Sequence, residues 1–153
     1  MDAEQIARVQ QLAPRLLPPL LSSRTNVSVS PSISLTKLRK ARGSYIDHGD
    51  GDTVLVLYDE TVLGSAKVGF AITDKALVYN LPPTSADPTR LKATFQLRDI
   101  NTIEFRKNDL TCDVVINGVQ TCNATSLNTK DALALQTLFD RVMTGGEPPA
   151  GEL

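Results

Sequence analysis

From residue 53 to residue 125 the chain offers seven short segments of strand character, and a wide amphipathic helical stripe follows them directly. The segments run over 53–58, 69–73, 76–80, 91–97, 102–106, 111–116 and 119–125. Asp74-Lys75 reads as the tight turn of one hairpin, and Asn117-Gly118 as the two-residue type I′ turn of another. Residues 91–97 alternate, with Leu91, Ala93, Phe95 and Leu97 on one face and Lys92, Thr94 and Gln96 on the other. In the helix, Leu133, Leu135, Leu138, Phe139 and Val142 form the stripe. Thr129 is the expected N-cap, Asp131 suits the positive end of the helix dipole, and Gly145-Gly146 ends the helix. A stripe of that width must cover an apolar surface, and a bent antiparallel sheet offers its open end. The fold class expected is α+β: a seven-stranded antiparallel barrel or bent sandwich closed by a C-terminal helix.

The first 52 residues differ in composition. They hold seven basic and five acidic residues and four of the nine prolines, against nine basic and twelve acidic residues after them. Ile6, Val9, Ala13, Leu16, Leu17 and Leu20 recur at helical spacing, which predicts a helix over 3–17, bent or restarted at Pro14 and ended by Pro18-Pro19. Residues 22–32, rich in serine, threonine and asparagine, read as a loop or extended connection. Ser34 is the expected cap of a short helix over 35–42, with Gly43 just past its end. Three parts are therefore expected: a helical extension and linker over 1–52, a main domain over 53–144, and a loose tail over 145–153.

Charge and rare residues narrow the chemistry. Sixteen basic against seventeen acidic residues give a net charge of −1, unlike the basic excess of a dedicated nucleic-acid binder. The single histidine, His48, excludes any site that needs two. No uninterrupted apolar run is long enough to span a bilayer, and the acidic start is unlike an export signal, so a cytoplasmic location is expected. Cys112 and Cys122 flank the Asn-Gly turn. A two-residue turn sets Cys112 opposite Asn123 and puts the two thiols on opposite faces, whereas a one-residue slip brings them face to face. The first register is expected, with both thiols reduced.

The stretch Tyr58-Asp59-Glu60-Thr61-Val62-Leu63-Gly64-Ser65-Ala66-Lys67, followed by Gly69-Phe70-Ala71-Ile72-Thr73-Asp74-Lys75-Ala76-Leu77-Val78-Tyr79, resembles bacterial pleckstrin-homology-like domains. Phe95-Gln96-Leu97-Arg98-Asp99-Ile100 is similar to their aromatic-to-Asp-Ile step. The resemblance covers residues 53–144 and implies seven strands, a closing helix, and a binding or assembly module without catalysis. Relatives that grip phosphoinositides use several basic residues in the first hairpin loop. Here that loop sets Asp59 and Glu60 against Lys67 alone, which argues against inositol-phosphate binding.

Candidate sites follow from the remaining clusters. Gly64-Ser65-Ala66-Lys67 lacks the first glycine and the ending of a phosphate loop and reads as a turn. Asp47, Asp50 and Asp52 with His48 lack the distal glutamate of a calcium loop and read as a solvated turn. Neither a metal nor a cofactor is expected. Asp59, Glu60, Asp74 and Asp99 raise the alternative of a small hydrolase or transferase with carboxylates at a barrel mouth. Two surfaces point instead to partner binding. One is the stripe of Ile6, Val9, Leu16 and Leu17, which either packs on its own barrel or meets a second chain; the other is the basic cluster Lys37, Arg39, Lys40 and Arg42. The expected partner is a protein or a second copy of the chain, with contact to an anionic membrane surface as the alternative and nucleic acid disfavoured.

Overall fold

The computed structural model describes residues 1–61, 64–87 and 89–145. In chain order the elements are α1 (Ala3–Leu20), β1 (Val27–Val29), α2 (Leu35–Ser44), β2 (Val54–Asp59), β3 (Gly69–Thr73), β4 (Ala76–Leu81), β5 (Leu91–Gln96), β6 (Ile103–Lys107), β7 (Cys112–Ile116), β8 (Val119–Ala124) and α3 (Thr129–Thr144).

Helix α1 begins with a reciprocal cap: Asp2 Oδ1 accepts from the Gln5 N–H at 2.8 Å, and Gln5 Oε1 accepts from the Asp2 N–H at 2.9 Å. It continues through Pro14, Pro18 and Pro19, correcting the expected stop at Pro18-Pro19. A proline removes the bond to the carbonyl four residues back, which here means those of Gln10, Pro14 and Arg15. All three belong to residues outside the buried stripe of Val9, Leu12, Ala13, Leu16 and Leu17, so water can satisfy them.

The strands form two antiparallel sheets, in the orders β1-β2-β3-β4-β5 and β6-β7-β8, and not a closed barrel. There are eight strands among the described residues, not seven: the extra one, β1, lies inside the stretch read as a connection and pairs Ser28 with Leu57. Over β2, β3 and β4, sheet 1 is covered on both faces, whereas β5 is largely exposed. Val56, Tyr58, Phe70, Ile72, Leu77 and Tyr79 face the main core, which also takes Val9, Leu16 and Leu17 of α1 and Leu135, Leu138 and Phe139 of α3. On the outer face, Leu57, Ala71, Ala76 and Val78 meet Ala41, Tyr45 and Ile46 at the end of α2. Residues 1–52 thus supply an edge strand and help cover both faces of sheet 1 over β2, β3 and β4.

A chain of rings joins the layers. Tyr58 stacks on Phe70 at 5.0 Å, Phe70 meets Phe105 at 6.0 Å, and Phe105 meets Phe139 at 6.0 Å, linking sheet 1 through sheet 2 to α3. The Gln136 side chain of α3 also closes the free edge of β6. Its Oε1 accepts from the Phe105 N–H at 2.8 Å, and its Nε2 donates to the Ile103 carbonyl at 3.2 Å. The cap of α3 is Asn128, one residue before the expected Thr129, and its side chain accepts from the Asp131 N–H. Gly145 ends the helix in the left-handed conformation, as expected, while residues 146–153 of the expected tail lie outside the described residues.

The Asn117-Gly118 turn has positive φ at both residues (53° and 78°), as a type I′ turn requires, and Ile116 pairs with Val119. Beyond Val115–Gln120 the register shifts, so that Val114 faces Cys122 and Cys112 faces Ala124. This corrects the expected Cys112–Asn123 pairing. Thr121 is the inserted residue, and its hydroxyl donates to the Val114 carbonyl at 2.9 Å. The shift turns Cys122 to the same face as Cys112, one pair along rather than directly opposite, and both cysteines are free and buried. Burial pushes both thiols up to about 12, so neither is an accessible nucleophile near neutral pH.

Candidate functional site

Helix α2 is capped by Ser34, whose Oγ accepts from the Lys37 N–H at 3.4 Å. It runs on through Gly43 to Ser44, past the end expected at residue 42. Its four cations serve two purposes. Lys37 reaches Asp59 of β2, Nζ to Oδ2 at 3.2 Å, and Arg42 donates to the Asp52 carbonyl at 2.9 Å. These two fasten the helix to its own sheet. Arg39 and Lys40 are exposed and stand on the outward stripe with Leu35, Thr36 and Gly43. Leu35 is 59% exposed, which puts one apolar side chain beside the two cations.

Two further cations gather at the C-terminal end of the helix. Lys92 of β5 donates through Nζ to the Ser44 carbonyl at 2.6 Å, where a positive charge suits the helix dipole. The Ser44 hydroxyl donates to the Lys67 carbonyl at 3.0 Å, holding exposed Lys67 alongside. The result is a basic rim assembled from α2, the loop before β3, and β5. Sequence adjacency reveals only the α2 part of it.

The Lys37–Asp59 pair sits beneath this face. Burial pushes the Asp59 carboxyl up, but hydrogen bonds from the Thr61 hydroxyl and N–H, with the Lys37 ammonium, outweigh it and hold the group below the usual carboxylate range. A carboxylate whose folded pKa is lowered adds stability that is complete above its unfolded value of about 3.9 and vanishes as pH falls through the folded value. The melting-temperature gap between wild type and Asp59→Asn should therefore be constant near neutral pH and shrink below about pH 4. Thermal melts over that range check this, and a gap that stays constant into acid would contradict it.

The α1 stripe lies elsewhere. Val9, Leu16 and Leu17 are buried in the core of their own chain, and Ile6 packs against it half-buried. The stripe offered as a partner surface is therefore interior, because α3 and the sheets occupy the position a second chain would take. The carboxylates do not converge. Asp59 is tied to Thr61 and Lys37, Asp74 Oδ1 accepts from the Thr53 N–H at 3.2 Å, and the Asp99 carbonyl accepts from Asn117 Nδ2 at 2.9 Å. His48 is exposed in a short 3-10 turn, whereas Asp50 is buried and accepts from the Asp47 N–H at 2.8 Å and the Thr94 hydroxyl at 3.2 Å. No three His, Cys, Asp or Glu side chains among the described residues are placed to hold a metal ion. No described helix is long and apolar enough to cross a membrane.

No family model matches the chain, and no curated protein or solved structure is significantly similar to it.

Proposed function

We propose that the chain is a non-catalytic cytoplasmic binding module built on a pleckstrin-homology-like fold, which docks an acidic protein segment on the outer face of α2. Seven of the eight described strands, in the two antiparallel meanders β2–β5 and β6–β8 followed by α3, support that reading. Strand β1 and helices α1 and α2 are additions to that plan. The observation that carries the functional reading is the pair Arg39 and Lys40, exposed and without a partner among the described residues, continued by Lys67 and Lys92 around the end of the helix. A chain with net charge −1 that leaves these cations without a carboxylate partner among the described residues has an electrostatic footprint for an acidic surface. The separation of Asp59, Asp74 and Asp99 weighs against the carboxylate-enzyme alternative.

The test is a fluorescence-polarisation titration of a labelled glutamate- and aspartate-rich peptide against wild type and the Arg39→Glu, Lys40→Glu variant. Affinity should fall about tenfold in the variant and with added salt. Both side chains are exposed, so the melting temperature should hold. Equal affinity in the two proteins would sink the reading. A parallel sedimentation with anionic vesicles separates a protein partner from a lipid surface, since Leu35 and its neighbouring cations would bind only vesicles if the membrane alternative were right.

A further inference from the structure

A second concave site lies off the outer face of α2, where the loop after β2, the start of β5 and the turn between β8 and α3 meet around a cavity of ≈ 520 Å³. Its walls include Glu60, Ser65, Val68, Arg90, Thr125 and Ser126. One oxygen of Glu60 is fixed: Oε1 accepts from the Tyr58 hydroxyl at 2.9 Å and from the Thr125 N–H. The Tyr58 hydroxyl in turn accepts from the Ser126 N–H at 3.0 Å, and the Tyr58 side chain is fully buried. Burial raises the phenol, so Tyr58 stays protonated and keeps donating to the carboxylate. The carboxylate is therefore oriented by its Oε1, while no described group donates to its Oε2. The Ser126 hydroxyl is engaged with the Tyr58 hydroxyl, whereas the hydroxyls of Ser65 and Thr125 have no partner among the described residues.

Arg90 lines the same cavity and is exposed, yet among the described residues it makes no ion pair with Glu60 or any other acid. Two opposite charges that face one cavity without neutralising each other form a frame for a ligand carrying both signs. We propose that this cavity binds a zwitterionic amino acid or short peptide, with its ammonium on Glu60 Oε2 and its carboxylate on Arg90. The Ser65 and Thr125 hydroxyls complete the ammonium's hydrogen bonds, and Val68 offers the apolar wall. The cavity is also roomier than one amino acid needs, so a peptide of a few residues spans it better. This proposal is independent of the α2 surface.

The experiment is an amide-resolved NMR titration of the full chain with L-alanine, tri-L-alanine, agmatine as a cation alone, and propionate as an anion alone. The amides of Ser65, Thr125 and Ser126 should shift saturably with tri-L-alanine, at about millimolar concentration. Agmatine and propionate should each bind about tenfold more weakly, each having lost one charged hydrogen-bonded contact. Glu60→Gln retains an Oε1 acceptor for Tyr58 and Thr125, so it should melt like wild type and bind tri-L-alanine about tenfold more weakly. Arg90→Gln, at an exposed position, gives the same reading from the other end. No shift at these amides, agmatine binding as tightly as tri-L-alanine, or undiminished affinity in both variants would each overturn the proposal.

Discussion

Gly69→Ala is expected to abolish the native fold or cost it more than about 3 kcal/mol, because no Cβ fits at this position. Gly69 opens β3 opposite Asp59 with φ of 154°, and an added Cβ would lie 1.8 Å from the Tyr58 carbonyl oxygen. That oxygen is backbone within the central ladder and cannot move aside alone. Relief requires parting β2 from β3, which carry Tyr58 and Phe70 at the head of the chain of rings running to Phe139. Urea unfolding of the purified variant measures the effect. A midpoint within experimental error of wild type would mean the β2–β3 approach is looser than described.

Asp131→Ala should be the most damaging substitution among the buried polar side chains, costing about 3 kcal/mol. Its carboxylate is buried and serves three donors: the Ser22 N–H at 2.7 Å, the Ser22 hydroxyl at 3.2 Å and the Thr25 hydroxyl at 2.6 Å. Thr25 then accepts from the Val27 N–H, so one side chain at the start of α3 fixes the whole passage from α1 into β1. Alanine keeps the helix and deletes every acceptor. Asp131→Asn, which keeps one acceptor oxygen, should recover part of the loss. Hydrogen exchange adds a local readout: the β1 amides should lose protection first, and uniform loss across the sheets would contradict the assignment.

The local signals in the sequence carried most of the framework. Ser34, Asp74-Lys75, Asn117-Gly118 and the α3 stripe each mark a boundary through residues adjacent in the chain, and the structure places each within a residue or two of expectation. What escaped depends on distant partners. Val27–Val29 is too short and too polar in its surroundings to read as a strand; it becomes one because β2 lends it an edge. The register change at Thr121 rests on a hydroxyl choosing the Val114 carbonyl, which no periodicity announces. A signal for the covered outer face of sheet 1 did exist: Val54 to Tyr58 runs apolar without alternation, as a strand buried on both faces does. Among the candidate site residues, Arg39 and Lys40 were legible as a charged stripe. The anchoring of Lys37 was not, since Asp59 lies 22 positions further along. Nor was Glu60, whose significance depends on Tyr58 and a turn 65 residues away.

The side chain of Gln136 also bears on how the protein behaves in a crowd. A sheet edge with free N–H and C=O groups is a template on which foreign strands can add and polymerise. By giving one acceptor and one donor to Phe105 and Ile103, Gln136 occupies the sites an incoming strand would need, while its Nε2 also donates to Asp140 at 3.0 Å within the same helix. One glutamine thus imitates a neighbouring strand, and with the exposed charges of Glu104 and Arg106 it guards that edge against self-templated growth.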